Sequence, residues 1–343
     1  MRYITAGESH GESLFGIIEG LPAGLKIDQS FVDEKLRIRQ NVYGRGPRAQ
    51  MILDKAQIKS GLSDGVTTGA PIAVVIDNGN CGKIGQFDFF RPGHADYAAA
   101  VKYGYQNAAL AAERASARET AMRTALGAIC LQFLGQLGIC IKANVTEVGG
   151  AKCEGEALSN EARQAIDEAA KSGDTLGGKI AIAISGVKAG IGSHVTYDRR
   201  LDYIFGGAFM SIPAVKAVEN GLGVGYASAS GKEVADCFVS ENKSIVRTSN
   251  NCGGIEGGIA NGQDITFTLT FKPIPSVVNI STVDTKGNEC LTQKVRGDVT
   301  AVTAAPVVAE AVAALELTRA ILDCLGGDTM DEVKHRYDLK GRK

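Results

Sequence analysis

Residues 91–126 read RPGHADYAAAVKYGYQNAALAAERASARETAMRTAL, and this stretch predicts how the chain is organised. It opens on a Pro-Gly turn that leaves His94 at its edge, because proline and glycine interrupt regular structure. It closes on RASARETA at 114–121, which introduces a helix of small and apolar residues. A histidine, arginines and hydroxyls at the start of such a helix indicate an anion site, to which unpaired backbone N–H groups add. Taken alone, a buried alanine-rich helix with a polar cap explains the stretch better, and other segments are needed to favour the site.

The composition excludes a protein dominated by one charge. The 343 residues include 37 basic and 38 acidic side chains, so no net field favours nucleic acid or a membrane surface. The eight cysteines form no CxxC pair, so neither a zinc site nor a thioredoxin-like motif is indicated. Cys130 and Cys140 lie in apolar runs typical of buried free thiols, which favours a reducing compartment. We therefore expect a cytoplasmic protein that binds neither nucleic acid nor membrane and holds no metal.

Two segments resemble targeting or membrane sequences only superficially. The first twenty residues contain Glu8, Glu12 and Glu19, which interrupt the apolar core that a signal peptide needs. Residues 124–141 carry no charge but include glutamines and glycines, so a buried helix followed by a strand explains them better than a membrane span. Because no repeat or linker divides the chain, we expect one domain over 1–330 and a short, frayed, charged tail over 331–343.

Hydrophobic patterns predict a mixture of helices and strands. Helices are expected at 28–40, 160–171, 201–220 and 306–324, and strands at 14–18, 66–77, 139–148 and 266–271. The GxxxxGK sequence at 173–179 is interpreted as a hairpin-type turn rather than a phosphate-binding loop, because Ile180 replaces the required Ser or Thr and a strand follows. The glycine-rich segment 250–262 is expected to be either disordered or pressed against a ligand.

Two of the four histidines lie in glycine-bearing motifs near arginines. His10 belongs to GESHG at 7–11, and His94 belongs to the Pro-Gly turn. This distribution indicates acid–base chemistry on an anionic ligand, although a surface histidine is an equal alternative for His10 alone. His194 and His335 lack such neighbours, so we expect them to be structural or at the surface.

A basic loop follows the first predicted helix. Arg39, Arg45 and Arg48 stand among glycines and a proline. Arginine suits carboxylate and phosphate groups, because its planar guanidinium donates two parallel hydrogen bonds. The loop is therefore a candidate for binding anions, and a solvated basic loop is the commoner alternative.

Seven motifs, in order along the chain, resemble those of the chorismate synthase family. They are GESHG at 7–11, RPGHADY at 91–97, RASARETA at 114–121, SIPAVKAVE at 211–219, NNCGGIEGG at 250–258, KPIPS at 272–276 and RGD at 296–298. The resemblance runs from about residue 1 to residue 325. It implies an α+β fold, a single-domain β-α-β sandwich with long central helices between antiparallel sheets, assembled as a homotetramer.

The resemblance also implies a reaction. Family members convert 5-enolpyruvylshikimate 3-phosphate to chorismate and phosphate by a 1,4-anti elimination, the last step of the shikimate pathway. Reduced FMN is required without net redox change, and NADPH is the candidate reductant. The substrate carries two carboxylates and a phosphate, and FMN carries another phosphate, so the dispersed arginines fit this anionic load.

Residue roles follow from matching the motifs. His10 would protonate the departing phosphate, His94 would hold a proton on or near the flavin, and Asp298 would assist flavin N5 in removing the C6 proton. The residues matched to FMN contacts are Arg114, Ala115, Ser116, Ala214, Gly257, Lys272, Pro273, Ile274, Pro275, Ser276 and Arg296. Those matched to substrate or NADPH anions are Ser9, Arg39, Arg45, Arg48, Arg91 and Arg118. The chain differs from the common family pattern at Ala115, where serine is frequent, at Pro213, and in RGDVT at 296–300.

Two other classes of function remain open at this point. A flavin-dependent oxidoreductase would share the FMN contacts but transfer a hydride to an anionic second substrate. A non-catalytic polyanion- or RNA-binding module would use the arginines alone. The balanced charge, the few aromatic residues and the two motif histidines count against that module.

Overall fold

The computed structural model describes residues 1–45, 53–79, 85–86, 88–241, 244–293 and 297–340. Within these ranges the strands are β1 Arg2–Ala6, β2 Ser13–Glu19, β3 Ala56–Ile58, β4 Leu62–Ser63, β5 Val66–Thr67, β6 Ile72–Asp77, β7 Cys140–Val148, β8 Ala151–Lys152, β9 Gly178–Ser185, β10 Val215–Asn220, β11 Phe238–Glu241, β12 Ser244–Arg247, β13 Ile255–Glu256, β14 Ile259–Ala260, β15 Ile265–Phe271, β16 Ser281–Val283 and β17 Glu289–Leu291. The helices are α1 Gln29–Gln40, α2 Asp96–Tyr103, α3 Ala109–Ala115, α4 Thr120–Gly135, α5 Asn160–Ser172, α6 Leu201–Met210, α7 Gly231–Val234, α8 Ala305–Leu325 and α9 Met330–Leu339. Arg48 and Arg296, two of the predicted anion ligands, lie outside the described residues.

Two antiparallel sheets enclose the long helices α4 and α8. One sheet has the strand order β1-β2-β6-β3, and the other has the order β10-β15-β9-β7-β8. Helix α4 packs on β2 and β6, while α8 packs on β7 and β9. This arrangement confirms the predicted α+β fold, with long central helices between antiparallel sheets.

Close backbone approach explains why small residues occupy the central layer. A Cβ added to Gly127 of α4 would lie only 2.4 Å from the Cβ of Ala311 in α8. A Cβ on Gly16 of β2 would lie 2.5 Å from the sulfur of Met122. Because real side chains do not approach so closely, glycine at these two positions lets the two helices and the first sheet pack in contact.

Hydrophobic periodicity accounts for the strands and helices that were predicted correctly. Strand β15 reads ITFTLTF, and its alternate residues Ile265, Phe267, Leu269 and Phe271 are buried, as expected of a strand with one face on the core. Helix α8 is apolar nearly all round and is buried on most of its surface, as a helix between two sheets must be. The expected helix-then-strand at 124–141 is also confirmed, by α4 and β7. The described residues contain no helix long and apolar enough to cross a membrane.

The predicted helix at 201–220 is wrong in its second half. Helix α6 ends at Met210, and residues 215–220 form β10, which pairs with β15. Between them Pro213 lacks a backbone N–H, and Ala214 takes a left-handed conformation with φ 74°, which no continuing helix allows. The short apolar run at 212–218 fits either period, so its pattern did not distinguish helix from strand.

The expectation of a frayed tail is wrong for Met330–Leu339, which forms α9. Thr329 and Glu332 cap its first turn reciprocally, an arrangement that satisfies two backbone N–H groups. Tyr337 is only 1% exposed, and its hydroxyl donates to the Gly186 carbonyl at 2.8 Å. The charged residues of the segment therefore lie on the solvent face of a docked helix.

Three smaller expectations have mixed outcomes. Cys130 is buried as expected, but Cys140 is exposed, because it starts β7 on the outward-facing side while Ile141 points inward. The turn at 173–179 is not a phosphate loop, but it joins α5 to β9 rather than two strands. The glycine-rich segment 250–262 is ordered and contains the β13–β14 hairpin.

Candidate active site

The loop that carries His10 is fixed to a buried glutamate on α3. His10 Nδ1 lies 2.7 Å from Glu113 Oε1, and the His10 backbone N–H donates to Glu113 Oε2 at 2.8 Å. The Ser9 N–H donates to the Glu113 carbonyl at 2.9 Å. The Glu113 side chain is 6% exposed, against 32% for His10, so the carboxylate lies behind the imidazole. The histidine is thus held at the surface of the site by a partner that sequence inspection did not identify.

Arg118 joins the His10 loop to the start of α4. Its Nε and Nη2 donate to Asn78 Oδ1 at 2.9 and 2.7 Å. Asn78 in turn donates from Nδ2 to the carbonyls of Glu8 and Gly11, at 3.1 and 2.7 Å. Because Ser13 pairs with Asp77 across β2 and β6, the loop before β2 and the residue after β6 meet at one edge of the sheet. Sheet pairing therefore brings residues far apart in the sequence beside one helix start.

An arginine cluster, defined here as Arg39, Arg45, Asp54, Arg118 and Asp298, lies at this end of the central helices. Arg118 Nη1 donates to Asp54 Oδ2 at 2.6 Å, and Arg39 Nη1 lies 3.8 Å from the same oxygen. Arg45 Nη1 lies 2.9 Å from Asp298 Oδ2. Three guanidinium groups thus face two carboxylates, and the excess positive charge favours an anion.

Arg39 is the most deeply buried member of the arginine cluster. Its side chain is 3% exposed and donates to Thr120 Oγ1 at 3.0 Å and to the Ala117 carbonyl at 2.8 Å. Burial, followed by the positive charge of Arg45, lowers the pKa of Arg39 to about 9. The guanidinium therefore stays charged at neutral pH and anchors the end of α1 to the start of α4.

One atom of the arginine cluster suggests that a ligand completes it. Arg45 Nε is buried and has no hydrogen-bond partner within the described part of the chain. A buried donor without an acceptor is costly, about 1–3 kcal/mol. A carboxylate or phosphate oxygen would satisfy Arg45 Nε and neutralise the excess charge, so the donor set fits anionic ligands.

The Pro-Gly turn holds His94 against a second buried carboxylate. His94 Nδ1 lies 2.5 Å from Asp96 Oδ1, and Arg91 Nε and Nη2 donate to the two Asp96 oxygens, each at 2.8 Å. Burial by itself would raise the pKa of Asp96, but the hydrogen bonds from His94 and Arg91 outweigh it and hold that pKa well below its ordinary value. Asp96 therefore stays ionised, and Arg91 is engaged with Asp96.

Lys272 connects the His94 turn to the segment after β15. Its ammonium donates to the Gly93 carbonyl, and its backbone N–H donates to the Ala214 carbonyl at 2.9 Å. Burial, with the neighbouring charge of Lys216, lowers the pKa of Lys272. The predicted residues Ala214 and Lys272 are therefore brought together with the turn that carries His94.

The remaining predicted contacts are dispersed. Arg114 donates to the Thr5 and Gly7 carbonyls, at 2.8 and 3.3 Å, and so braces the His10 loop. Ser116 accepts from the Arg118 N–H at 3.2 Å, and Ala115 is exposed at the end of α3. Gly257 turns the β13–β14 hairpin, which packs on the start of α6 through the Leu201 N–H to Gly258 carbonyl bond of 3.0 Å.

The last predicted segment, KPIPS, is a turn with few side-chain donors of its own. The Ser276 N–H donates to the Ile274 carbonyl at 2.8 Å, and Thr175 Oγ1 donates to the same carbonyl at 2.7 Å. Pro275 lies near Gly93, since a Cβ on that glycine would be 3.8 Å away. Pro273 is exposed.

The two histidines outside the motifs, His194 and His335, are both exposed, as expected.

The sequence did not identify four hydrogen-bond partners of the candidate site residues: Asp54, Asn78, Asp96 and Glu113. Asp96 and Glu113 were within or beside motifs already quoted, so their positions were a usable signal. Asp54 and Asn78 are ordinary polar residues after segments without a motif, and only the fold brings them to Arg118.

A separate cavity of about 400 Å³ is lined by none of the predicted residues and includes Tyr3, Ser211 and Glu316. Across the described residues, no three His, Cys, Asp or Glu side chains are grouped to hold a metal ion.

The candidate site combines two oriented histidines, which can transfer protons, with a cluster of arginines, which can bind anions. Each motif histidine has Nδ1 against a buried carboxylate, which fixes the orientation of the ring. The arginine cluster supplies fixed positive charge close to the loop that carries His10. Such an arrangement can bind a polyanion and deliver a proton to a departing anionic group.

Known proteins are similar to this chain in sequence and fold over nearly its full length. The sequence profile of the chorismate synthase family matches residues 1–322. Chorismate synthase from Thermoanaerobacter pseudethanolicus is 44% identical, with 98% of this chain and 97% of that protein aligned. Chorismate synthase from Geobacter sulfurreducens is 42% identical, with 98% of each chain aligned. A crystal structure of chorismate synthase superposes with a TM-score of 0.80 and 36% identity, covering 98% of this chain and 96% of that one.

Proposed function

The chain belongs to the chorismate synthase family, whose members are lyases acting on phosphates, and from this premise we propose its reaction. The protein converts 5-enolpyruvylshikimate 3-phosphate to chorismate and phosphate by a 1,4-anti elimination. The reaction uses reduced FMN without net redox change and completes the shikimate pathway. A flavin-dependent oxidoreductase acting on an anionic substrate is the second candidate.

The observation that carries the proposal is the excess of positive charge in the arginine cluster, together with its unpaired buried donor. Arg39, Arg45 and Arg118 exceed the charge of Asp54 and Asp298, and Arg45 Nε has no acceptor within the described ranges. The proposed substrate carries two carboxylates and a phosphate, which match planar guanidinium donors. Arg48 belongs to the same basic loop in the sequence, and we assign it to the same task.

His10 is the general acid of the proposed reaction. Breaking the allylic C–O bond leaves negative charge on phosphate, so a proton donated at that oxygen assists its departure. The His10 loop is tied to Arg118 through Asn78, which supports a position beside the bound anion. Ser9 holds the loop through its backbone N–H, and its hydroxyl is a further candidate for substrate contact.

Residues on the His94 side would hold the flavin. Reduced FMN supplies the electron-rich ring that the family's elimination requires. His94, oriented by Asp96, would hold a proton at or near that ring, and Arg91 maintains the orientation. Lys272, Pro273, Ile274, Pro275 and Ser276, with Ala214, Gly257, Arg114, Ala115, Ser116 and Arg296, are the proposed contacts. Asp298, next to Arg45, would assist the flavin in removing the proton from C6.

We further propose a cytoplasmic homotetramer. Exposed apolar side chains on the outer face of β1 and β2 support self-association: Ile4 is 66% exposed, Phe15 50% and Ile17 45%. Apolar patches of this kind commonly mark protein interfaces. Sedimentation of the purified protein would test the assembly, since a monomer would contradict it.

Phosphate release under anaerobic conditions tests the reaction. Purified protein, chemically reduced FMN and the enolpyruvyl substrate should yield phosphate without any nicotinamide present. Stoichiometric oxidation of the reduced flavin or of NADPH by the substrate would support the oxidoreductase. Binding without phosphate release would support a non-catalytic polyanion-binding protein.

A further inference from the structure

Glu113 makes three hydrogen bonds to the His10 loop. Its two carboxylate oxygens accept from His10 Nδ1 and from the His10 backbone N–H, at 2.7 and 2.8 Å. Its carbonyl accepts from the Ser9 N–H at 2.9 Å. One residue therefore fixes both the backbone of the loop and the ring of its histidine.

Burial of the Glu113 carboxylate determines which nitrogen of His10 carries a proton. Glu113 is 6% exposed, and a buried carboxylate is tolerated only when its oxygens are hydrogen-bonded or paired with a positive charge. An ionised carboxylate has only acceptors, so the Nδ1 position of His10 must carry the proton that it receives. The proton at Nε2 is then the one that His10 can give up, and the ring that remains is neutral and still bonded to Glu113.

We propose that Glu113 is a positioning residue for proton transfer from His10. It selects the nitrogen that donates the proton, and it aims the ring. The proposal rests on the proposed function in that the proton acceptor is the departing phosphate oxygen. The proton moves from Nε2 to that oxygen as the C–O bond breaks, so the histidine ends neutral and phosphate leaves protonated.

A purely structural role makes a different prediction. If Glu113 only anchors the loop, its replacement should lower stability and leave the folded protein fully active. Glu113→Gln separates the two roles because it keeps the size of the side chain. Glutamine offers one carbonyl acceptor and one NH₂ donor, so it cannot present an oxygen to both the ring and the backbone N–H of His10, which are bonded to different Glu113 oxygens. Glu119→Gln is a matched control, because Glu119 is also buried but pairs with Arg123 at 2.7 Å.

Turnover is the first readout. We expect Glu113→Gln to lower kcat at least about 10- to 100-fold, the range found when the carboxylate or carbonyl partner of a metal-bound histidine is removed, with a much smaller change in KM. Glu119→Gln should change kcat less than Glu113→Gln does after correction for folded protein. Equal kcat values in the Glu113→Gln variant and the wild type would overturn the proposal.

Nitrogen NMR of histidine-labelled protein is the second readout and requires no turnover. The chain has four histidines, and a His10→Gln variant identifies the His10 signals. With the ring neutral, wild-type His10 should carry its proton on Nδ1, whereas Glu113→Gln should shift the population to Nε2. A wild-type ring protonated on Nε2 would contradict the proposal even if the variant failed to fold. Absence of phosphate release by the wild type, with the expected Nδ1 signal, would instead refute only the proposed reaction.

Discussion

Arg45 Nη1 lies 2.9 Å from Asp298 Oδ2, and this ion pair joins the loop after α1 to the segment that leads into α8. The backbone supports the pair, since the Val299 N–H donates to the Gly44 carbonyl at 2.9 Å. Arg118, on the other side of the arginine cluster, lies just before α4. Both central helices therefore begin at the proposed binding site, and the fold itself brings the charged groups of the arginine cluster together.

Arg45→Ala tests whether the arginine cluster binds a substrate anion. A hydrogen bond to a charged group contributes about 1.5–3 kcal/mol, so KM should rise about 10- to 100-fold with a smaller change in kcat. Steady-state kinetics of phosphate release would measure the effect. Arg199→Ala, at an exposed pair with Asp323, is the control and should leave KM unchanged. Unaltered KM in Arg45→Ala would favour a solvated basic loop.

The two motif histidines should fail differently when replaced by alanine. His10→Ala should reduce single-turnover phosphate release about 10²–10⁴-fold while bound reduced FMN keeps its spectrum and affinity. His94→Ala should slow turnover and also alter the spectrum of the bound flavin or its dependence on pH. A paired flavin titration measures both. Identical flavin spectra in the two variants would contradict the division of roles and leave the family membership untouched.

Asp96 should contribute stability that depends on pH. Its folded-state pKa lies well below the ordinary aspartate value of about 3.9, because hydrogen bonds from His94 and Arg91 outweigh burial. A carboxyl group whose pKa is lower in the folded than in the unfolded state stabilises the fold at pH values above the unfolded-state pKa. This contribution is lost as the pH falls from about 5. Denaturant unfolding at several pH values should therefore show a steeper acid loss in the wild type than in Asp96→Asn. Parallel curves would mean that the carboxylate is not specially stabilised.

Close packing of the central helices is tested by a pair of glycine substitutions in α4. Gly127→Ala should destabilise the protein by about 1–3 kcal/mol, because its new Cβ would meet Ala311 at 2.4 Å. Gly135→Ala is the matched control, since a Cβ there meets nothing within 4 Å. The control should be neutral or stabilising, by up to about 1 kcal/mol. Equal effects in urea unfolding would contradict the tight crossing.

Docking of α9 is tested at Tyr337. Its hydroxyl donates to the Gly186 carbonyl at 2.8 Å and accepts from the Lys188 N–H at 3.1 Å. Tyr337→Phe should lower the free energy of unfolding by about 1–3 kcal/mol, since two hydrogen bonds of about 0.5–1.5 kcal/mol each are lost. Tyr97→Phe, at a residue 63% exposed, should have little effect. No loss in Tyr337→Phe would restore the expectation of a frayed tail.

The sequence predicted those parts of the fold that local periodicity encodes. The alternation in β15 and the long apolar helix α8 left little ambiguity, and both were correct. The second half of the expected helix at 201–220 was wrong because Ala214 takes a left-handed conformation. An alanine at that position does not predict such a conformation. The charged segment at 330–339 was misjudged because Tyr337 docks against a carbonyl, at Gly186, from a distant part of the chain.

The candidate site was predictable where residue type and motif coincide. His10 and His94 stand in glycine-bearing motifs, and the arginines near residue 40 form a visible basic loop. Asp54 and Asn78 were not predictable from spacing, because each looks like any ordinary polar residue, whereas Asp96 and Glu113 lie within or beside quoted motifs. Only the sheet and helix packing shows that Asp54 is buried beside an arginine and Glu113 beside a histidine.

The ratio of phosphate released to NADPH consumed tests the proposed reaction most directly. Purified protein would be supplied anaerobically with FMN, NADPH and an excess of 5-enolpyruvylshikimate 3-phosphate, and both quantities would be followed during turnover. A redox-neutral elimination predicts continued phosphate release after NADPH consumption has stopped at the amount needed to reduce the flavin. One NADPH consumed for every substrate converted would contradict the account and favour a flavin-dependent oxidoreductase.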